Sequence, residues 1–157
     1  MRLTQTTYCP IKPLVILLMG LLAISICMRG MAQDISLSII ANTEGVPDSL
    51  TSKEMKKIFL GQKQRWKNNK VIKIAMLKPD TKVGSIVSDK IYGLTPNELK
   101  KYWLALAFQG RAKTPKFFDS AEELKNYVSI TPGSVGIIEY TSRENLKFVL
   151  VDNKKFF

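Results

Sequence analysis

The sequence predicts an α/β fold with two or three layers, in which strands and helices alternate along a single domain. Short apolar segments of the kind that form buried strands recur along the chain. Between them lie three capping boxes, in which a Ser or Thr stands three residues before a Glu and starts a helix. The length of 157 residues and the hydrophobic fraction of 45% fit one globular domain and exclude a disordered chain.

The predicted domain begins with a strand over residues 35–41, where apolar and polar side chains alternate. The box from Thr51 to Glu54 starts a short helix, and Gly61 suits the left-handed position that follows a helix. Residues 71–77 form an apolar run, which predicts a buried second strand.

Two more helices are predicted in the middle of the chain. One covers about residues 83–92 and ends at Gly93. The other starts at the box from Thr95 to Glu98, with Pro96 at its first position. Four of its residues recur at the spacing of a core-facing stripe: Leu99, Tyr102, Trp103 and Leu106.

The last third of the chain contains the remaining helix and two strands. Gly110 ends the previous helix, and residues 109–118 predict a basic loop. The box from Ser120 to Glu123 starts the third capped helix, and residues 131–134 predict a type II turn. Two closing strands are predicted, over residues 135–140 and 147–151, and the sequence leaves the strand order open.

The first 32 residues have the features of an export signal, because they carry basic residues and no acidic residue. Residues 13–27 form an apolar run with the length of a signal-peptide core, which is short for a membrane-spanning helix. Gly30 and Ala32 supply the small residues that signal peptidase prefers, so cleavage is predicted near Ala32.

The predicted organisation is therefore a signal peptide over residues 1–32 and one domain over residues 33–157, located in the periplasm or secreted. The alternative is an uncleaved N-terminal anchor, which would then be the membrane contact of the protein. Cys9 and Cys27 both lie in the predicted signal, so the mature domain would have no thiol.

The composition excludes several kinds of chemistry. Histidine is absent, which rules out Ser-His-Asp and Cys-His sites and imidazole metal ligands. We therefore predict a protein that is not an enzyme, with no catalytic residues, no metal site and no cofactor. Lys and Arg number 24 against 13 Asp and Glu, a net charge of +11. In an exported protein this charge indicates a soluble anion, an acidic envelope surface or solubility alone, and no nucleic-acid partner.

The best candidate for a binding site follows the predicted strand over residues 71–77. In α/β folds, ligands bind where strands end and helix N-termini present free N–H groups. The residues suited to an anion at this position are Lys78, Thr81, Lys82, Gly84 and Ser85. The alternative is an ordinary strand-to-helix loop, in which polar residues only cap the helix.

Three other features have both a functional and a structural interpretation. Arg111, in the basic loop, either closes over an anion or is solvated. Trp66 either stacks on a ligand or fills the edge of the core, whereas Trp103 is predicted to be core. Seven basic residues form either a solvated face or a docking patch: Lys53, Lys56, Lys57, Lys63, Arg65, Lys67 and Lys70.

These segments, taken in order, resemble the phosphate-type periplasmic substrate-binding proteins of ABC transporters. The resemblance covers about residues 35–140. The segments that carry it are Asn42, Ser49-Leu50-Thr51, Ile58–Gly61 with Trp66, Tyr102-Trp103, Phe108-Gln109-Gly110, and Thr131–Gly136.

The resemblance implies one lobe of a type II periplasmic-binding-protein-like fold, a mixed sheet flanked by helices. Two-lobed members close on a phosphate, and this chain has the length of one lobe. In those members, an arginine and a Ser-Gly-Thr loop supply phosphate donors after a strand. The matching stretch here, residues 78–85, has Lys78 in place of the arginine and lacks Ser-Gly-Thr. Asn42 and Arg111 are further candidate ligand residues.

The function implied by the resemblance is non-catalytic binding of phosphate or another small oxyanion at a helix N-terminus. A transporter or envelope protein is the implied protein partner. A single lobe would hold the anion weakly unless a partner supplied the second wall. The alternative is a ligand-free structural or interaction module of the cell envelope that retains the fold.

Overall fold

The protein is described by a computed structural model that covers residues 35–141 and 146–157. The predicted signal peptide over residues 1–32 lies outside these residues, and its cleavage remains a prediction. Residues from Ile35 to Phe157 form a compact unit. The strands are β1 (Leu37–Ala41), β2 (Ser49–Leu50), β3 (Lys73–Leu77), β4 (Lys116–Phe118), β5 (Ser134–Glu139) and β6 (Lys147–Val151). The helices are α1 (Ser52–Phe59), α2 (Lys82–Val87), α3 (Pro96–Phe108) and α4 (Ala121–Ile130), and a π-helical segment (Ser88–Tyr92) continues α2.

The six strands form one mixed sheet in the order β2-β6-β1-β5-β3-β4. Strand β1 is antiparallel to both of its neighbours, β5 and β6. The other pairs, β2 with β6, β3 with β5 and β3 with β4, are parallel. All strands except β1 therefore point the same way, and their carboxyl ends lie at one edge of the sheet.

Helices cover both faces of the sheet and give three layers. On one face, α1, the π-helical segment and α3 pack on alternate strand residues through Ile58, Ile91 and Trp103. On the other face, α4 packs through Leu124 and Val128. Strand β1 is buried along its whole length, as expected for a strand covered on both faces.

The capping boxes start helices where the sequence predicts them. The boxes at Thr51 and Thr95 are complete, with side chain and backbone bonded in both directions. These bonds to the two threonines lower the pKa of Glu54 and that of Glu98. At Ser120 the hydroxyl accepts from the Glu123 amide, but the Glu123 carboxylate accepts from the Asp119 amide instead. The third box is therefore only half formed.

Three segments differ from the sequence prediction. Residues 49–50, where the sequence predicts no strand, form the short strand β2, which pairs with β6. Residues 116–118, predicted as the end of a loop, form the edge strand β4, which pairs with β3. Three residues are too few to show an alternating pattern, so the loop prediction was wrong at this point. The helix predicted over about residues 83–92 widens to π geometry after Val87. The Ser88 hydroxyl donates to the Gly84 carbonyl at 2.8 Å, a bond of the kind that bends helices.

Candidate functional site

The carboxyl edge of the sheet brings three helix starts together. Strands β2, β3 and β4 run in the same direction, and α1, α2 and α4 follow them directly, so these helices all begin at this edge. A helix N-terminus presents unpaired N–H groups and the positive end of the helix dipole. This edge is therefore the place where such a fold can hold an anion.

Two of the three helix starts are occupied by carboxylates of the protein itself. Asp152 accepts hydrogen bonds from the hydroxyl of Ser52 and, at 3.1 Å, from its backbone amide, and these bonds lower the pKa of Asp152. Glu54 lies in the first turn of α1, and Glu122 and Glu123 lie in that of α4. An anion at either helix would meet charge of the same sign.

The start of α2 has no acidic residue in its first turn. Thr81 caps this helix, because its hydroxyl accepts from the Gly84 amide at 3.0 Å and donates to the Lys78 carbonyl at 2.8 Å. The Ser85 amide donates to the Thr81 carbonyl at 2.9 Å. The hydroxyl of Thr81 and the amides of Gly84 and Ser85 therefore form hydrogen bonds within the protein and are not free for a ligand.

Four donors remain at this helix start. The amides of Lys82 and Val83 have no hydrogen-bond acceptor among the residues that the structure describes. In the same part of the chain, the exposed ammonium of Lys82 has no ion-pair partner, and the hydroxyl of half-buried Ser85 has no hydrogen bond. Val83 is not among the residues that the sequence predicts for this site, because a backbone amide leaves no mark on the residue type.

Lys78 is engaged by the neighbouring loop. Its ammonium lies 2.6 Å from the Asp119 carboxylate, whose hydrogen bond and charge raise the pKa of Lys78. The Lys78 amide also donates to the Phe118 carbonyl at 2.9 Å. The ion pair is exposed, so water screens it and it contributes little to stability. Lys78 therefore links the loops after β3 and β4, and Asp119 already balances its charge.

Asn42 lies at the opposite edge of the sheet, because β1 runs against the other strands. Its amide nitrogen donates to the carbonyls of Val128 at 2.9 Å and Ser129 at 2.8 Å, at the end of α4. Its side-chain oxygen accepts from the Glu44 amide at 2.8 Å. Both N–H donors of this buried side chain are used, so Asn42 stabilises α4 and is separate from the Lys78–Ser85 segment.

Other residues that carry the family resemblance meet near Asn42. The indole of Trp66 donates to the Gly133 carbonyl at 2.9 Å, and the side chain is 3% exposed. Gly133 has φ +77°, and a Cβ there would lie 2.7 Å from the Val71 carbonyl. The Ser134 hydroxyl donates to the Thr131 carbonyl at 2.6 Å. Trp66 therefore fills the core, and these residues hold the fold together.

Arg111 also lies away from the Lys78–Ser85 segment. It follows the end of α3, and its carbonyl accepts from the Gln64 side chain. A cavity of about 110 Å³ lies beside it, and a larger one of about 280 Å³ is bordered by Val46, Leu50 and Trp66. Neither cavity is lined by residues 78–85, so the start of α2 lies outside both of them.

Residues 35–141 and 146–157 contain no group of three or more His, Cys, Asp or Glu side chains placed to hold a metal ion. In the same ranges, no helix has both the length and the apolar character needed to cross a membrane.

Comparison with solved structures identifies similar folds among phosphate-transport receptors. The crystal structure of PstS from Borrelia burgdorferi superposes with a TM-score of 0.58 at 20% sequence identity, covering 76% of this chain and 48% of that chain. A putative phosphate ABC transporter substrate-binding protein with bound phosphate from Clostridium perfringens gives 0.59 at 14% identity, covering 76% and 46%. An ABC-type phosphate transport receptor from Vibrio cholerae gives 0.50 at 16% identity, covering 75% and 46%.

No protein-family model and no curated protein matches the chain. The chain spans about half the length of the solved structures that it resembles. Their similarity lies in the mixed sheet and its flanking helices. The described residues therefore have the fold of one lobe of a PstS-like periplasmic binding protein.

Proposed function

We propose that this protein binds a small oxyanion such as phosphate, without catalysis, at the start of α2. Helices α1, α2 and α4 all begin at the carboxyl edge of the sheet. The main support for the proposal is that α1 and α4 have a carboxylate in the first turn and α2 has none. The free amides of Lys82 and Val83, the Lys82 ammonium and the Ser85 hydroxyl supply four donors for one anion. Thr81 and Gly84 shape this helix start, and Lys78 joins the site when it leaves Asp119.

The solved structures with similar folds support this proposal. Two of them are a putative phosphate ABC transporter substrate-binding protein, which contains bound phosphate, and an ABC-type phosphate transport receptor. By analogy, we propose an exported protein, located in the periplasm or secreted, that works with a transporter or another envelope protein. The site is open to water on one side, so we expect weak binding unless a second protein surface closes over it.

Isothermal titration with phosphate tests the proposal. The full chain is expressed in a bacterium with a protein-export pathway. The protein is purified in the form that the host produces, with residues 1–32 either cleaved or retained. We expect saturable heat, and a dissociation constant about tenfold higher in the Lys82→Gln/Ser85→Ala double variant, because a charge-assisted and a neutral hydrogen bond are lost. The matched control is Lys57→Gln, which removes an exposed lysine from the last turn of α1. Absence of heat in the wild type, or equal affinity in all three proteins, would refute the proposed site.

A second candidate function is an interaction module that keeps the fold and binds no small ligand. Its supporting observation is that Thr81, Gly84 and Lys78 are all engaged by the protein itself. This alternative predicts no heat with phosphate or sulfate from a protein whose circular dichroism and unfolding transition are normal. The same titration therefore separates the two functions.

A further inference from the structure

The outer face of α3 exposes two large apolar side chains. Leu104 is 56% exposed and Phe108 is 84% exposed, and they lie one turn apart on the same ridge. The opposite side of α3 packs on the core through Leu99 and Trp103, so this ridge points away from the protein. Neighbouring exposed apolar side chains of this size commonly mark a contact surface.

Basic residues follow this ridge directly in the chain. Arg111 and Lys113 are both exposed, and neither forms an ion pair with a carboxylate of the described residues. Gly110, with φ +63°, turns the chain at the end of α3. The end of this helix therefore carries apolar side chains and unopposed positive charge within ten residues of sequence.

The cavity of about 110 Å³ lies beside these basic residues. Its wall includes the cations Lys63, Arg65 and Lys113, together with the Gln64 amide, and no carboxylate lines it. The charge of Lys63 is partly balanced by Glu54 at 3.5 Å, whereas Arg65 donates one N–H to the Asn69 carbonyl and keeps its other N–H donors free. The volume and the charge suit a single phosphate group.

We propose that this surface, formed by Leu104, Phe108, Arg111, Lys113 and the adjoining cavity, docks on an anionic phospholipid bilayer. Leu104 and Phe108 would enter the headgroup region, and the cavity would take one lipid phosphate. Charge complementarity favours a membrane as the occupant, because basic residues beside exposed apolar ones bind anionic lipid surfaces through both effects. The proposal is independent of the oxyanion site at the start of α2.

A fluorophore that responds to polarity, attached at position 108, tests the docking. The full chain carries Cys9→Ser, Cys27→Ser and Phe108→Cys, labelled at the new thiol, and is mixed with phosphatidylglycerol or phosphatidylcholine vesicles. The probe reports the polarity around position 108, and a control label at position 130 reveals any shift that lipid contact of residues 1–34 would cause. With phosphatidylglycerol vesicles we expect the fluorescence emission of the probe to shift to the blue and to be quenched by brominated lipid. With phosphatidylcholine vesicles we expect neither change.

Ile130 provides the matched control, because it is 71% exposed on α4, on the other face of the sheet. A label at Ile130→Cys is expected to show no shift. Arg111→Gln/Lys113→Gln is expected to weaken vesicle binding by roughly tenfold or more, since each cation near an anionic surface contributes about a fivefold change. Lys154→Gln/Lys155→Gln, with the same change in net charge, is expected to have a smaller effect.

Four results would overturn the docking proposal: no shift at position 108, an equal shift at position 130, equal shifts with both lipids, or equal losses from the two charge variants. None of these outcomes depends on Lys82 or Ser85, so the oxyanion proposal is tested separately.

Discussion

At the scale of single residues, Gly84 illustrates how a binding-site candidate can have a structural role. A Cβ at this position would lie 2.0 Å from the Lys78 carbonyl oxygen and 2.8 Å from the Thr81 hydroxyl. The helix start can therefore approach the end of β3 only because residue 84 has no side chain. The Gly84 amide also donates to Thr81, so both its size and its backbone are used by the fold.

We expect Gly84→Ala to lower the free energy of unfolding by about 2 kcal/mol, because the added methyl group meets backbone atoms. Urea denaturation followed by circular dichroism measures this change. The neighbouring substitution Ser85→Ala adds no atom to the packed interior and should stay within about 0.5 kcal/mol of the wild type. Equal stability of the two variants would show that residue 84 does not lie as close to the Lys78 carbonyl as the structure indicates.

The sequence predicted the Lys78–Ser85 segment and its position before a helix. It did not predict which hydrogen-bonding groups of the segment remain free to bind a ligand. The alternative interpretation of this segment, in which polar residues cap the helix, is met at Thr81. The partner of Lys78 could not be predicted, because Asp119 is 41 residues away and the pair depends on β4 lying beside β3. For the same reason, the direction of β1 was needed to place Asn42 at the other edge.

At the scale of elements, the end of α1 is held by two tyrosines from other parts of the chain. The Tyr92 hydroxyl donates to the Phe59 carbonyl at 2.7 Å, and the Tyr102 hydroxyl donates to the Leu60 carbonyl at 2.8 Å. The last carbonyls of a helix lack partners within it, so these bonds satisfy groups that would otherwise be buried unpaired. The two rings also meet edge to face, with centroids 5.9 Å apart.

We expect Tyr92→Phe to lower the free energy of unfolding by about 1–2 kcal/mol, because the Phe59 carbonyl would lose its partner in a buried site. Burial also raises the pKa of Tyr92 above its ordinary value of 10.0. The folded state therefore keeps the phenol neutral, and this contribution to stability is lost as the pH rises above 10. Urea denaturation at pH 7 and pH 11 should show a smaller alkaline loss for Tyr92→Phe than for the wild type.

Tyr102→Phe is the matched control, because its hydroxyl bonds the carbonyl of half-buried Leu60, where water can replace it, whereas Phe59 is fully buried. We expect a smaller loss of stability from this variant. A Tyr102 variant that is destabilised as much as Tyr92→Phe would contradict the difference in burial.

At the scale of the whole molecule, the same sheet packs against a layer of helices on each of its two faces. Neighbouring residues of β1 point to opposite faces, with Ile39 in the cluster under α1 and α3 and Ile40 in the cluster under α4. The alternation of apolar residues predicted this strand, and the capping boxes predicted the helices around it. The strand order was not predictable, because pairing between distant segments leaves little trace in local pattern.

This shared sheet predicts that residues 35–157 unfold in a single transition. Trp66 and Trp103, the two tryptophans of the chain, are 3% and 1% exposed, so their fluorescence reports loss of the face covered by α1 and α3. Far-ultraviolet circular dichroism reports the helices of both faces. Because neither face can be removed without exposing the sheet, the two signals should give the same urea midpoint. Separate midpoints would show that the faces unfold independently.

The position of β1 has a consequence for biosynthesis. Its partners, β5 and β6, are the last two strands in the part of the chain that the structure describes, with β6 ending at Val151. A ribosome releases residues in order, so residues 37–41 cannot complete their pairing until residues 134–151 have emerged. The sheet of the described residues therefore cannot be completed until late in synthesis, when β1 meets the two strands that flank it.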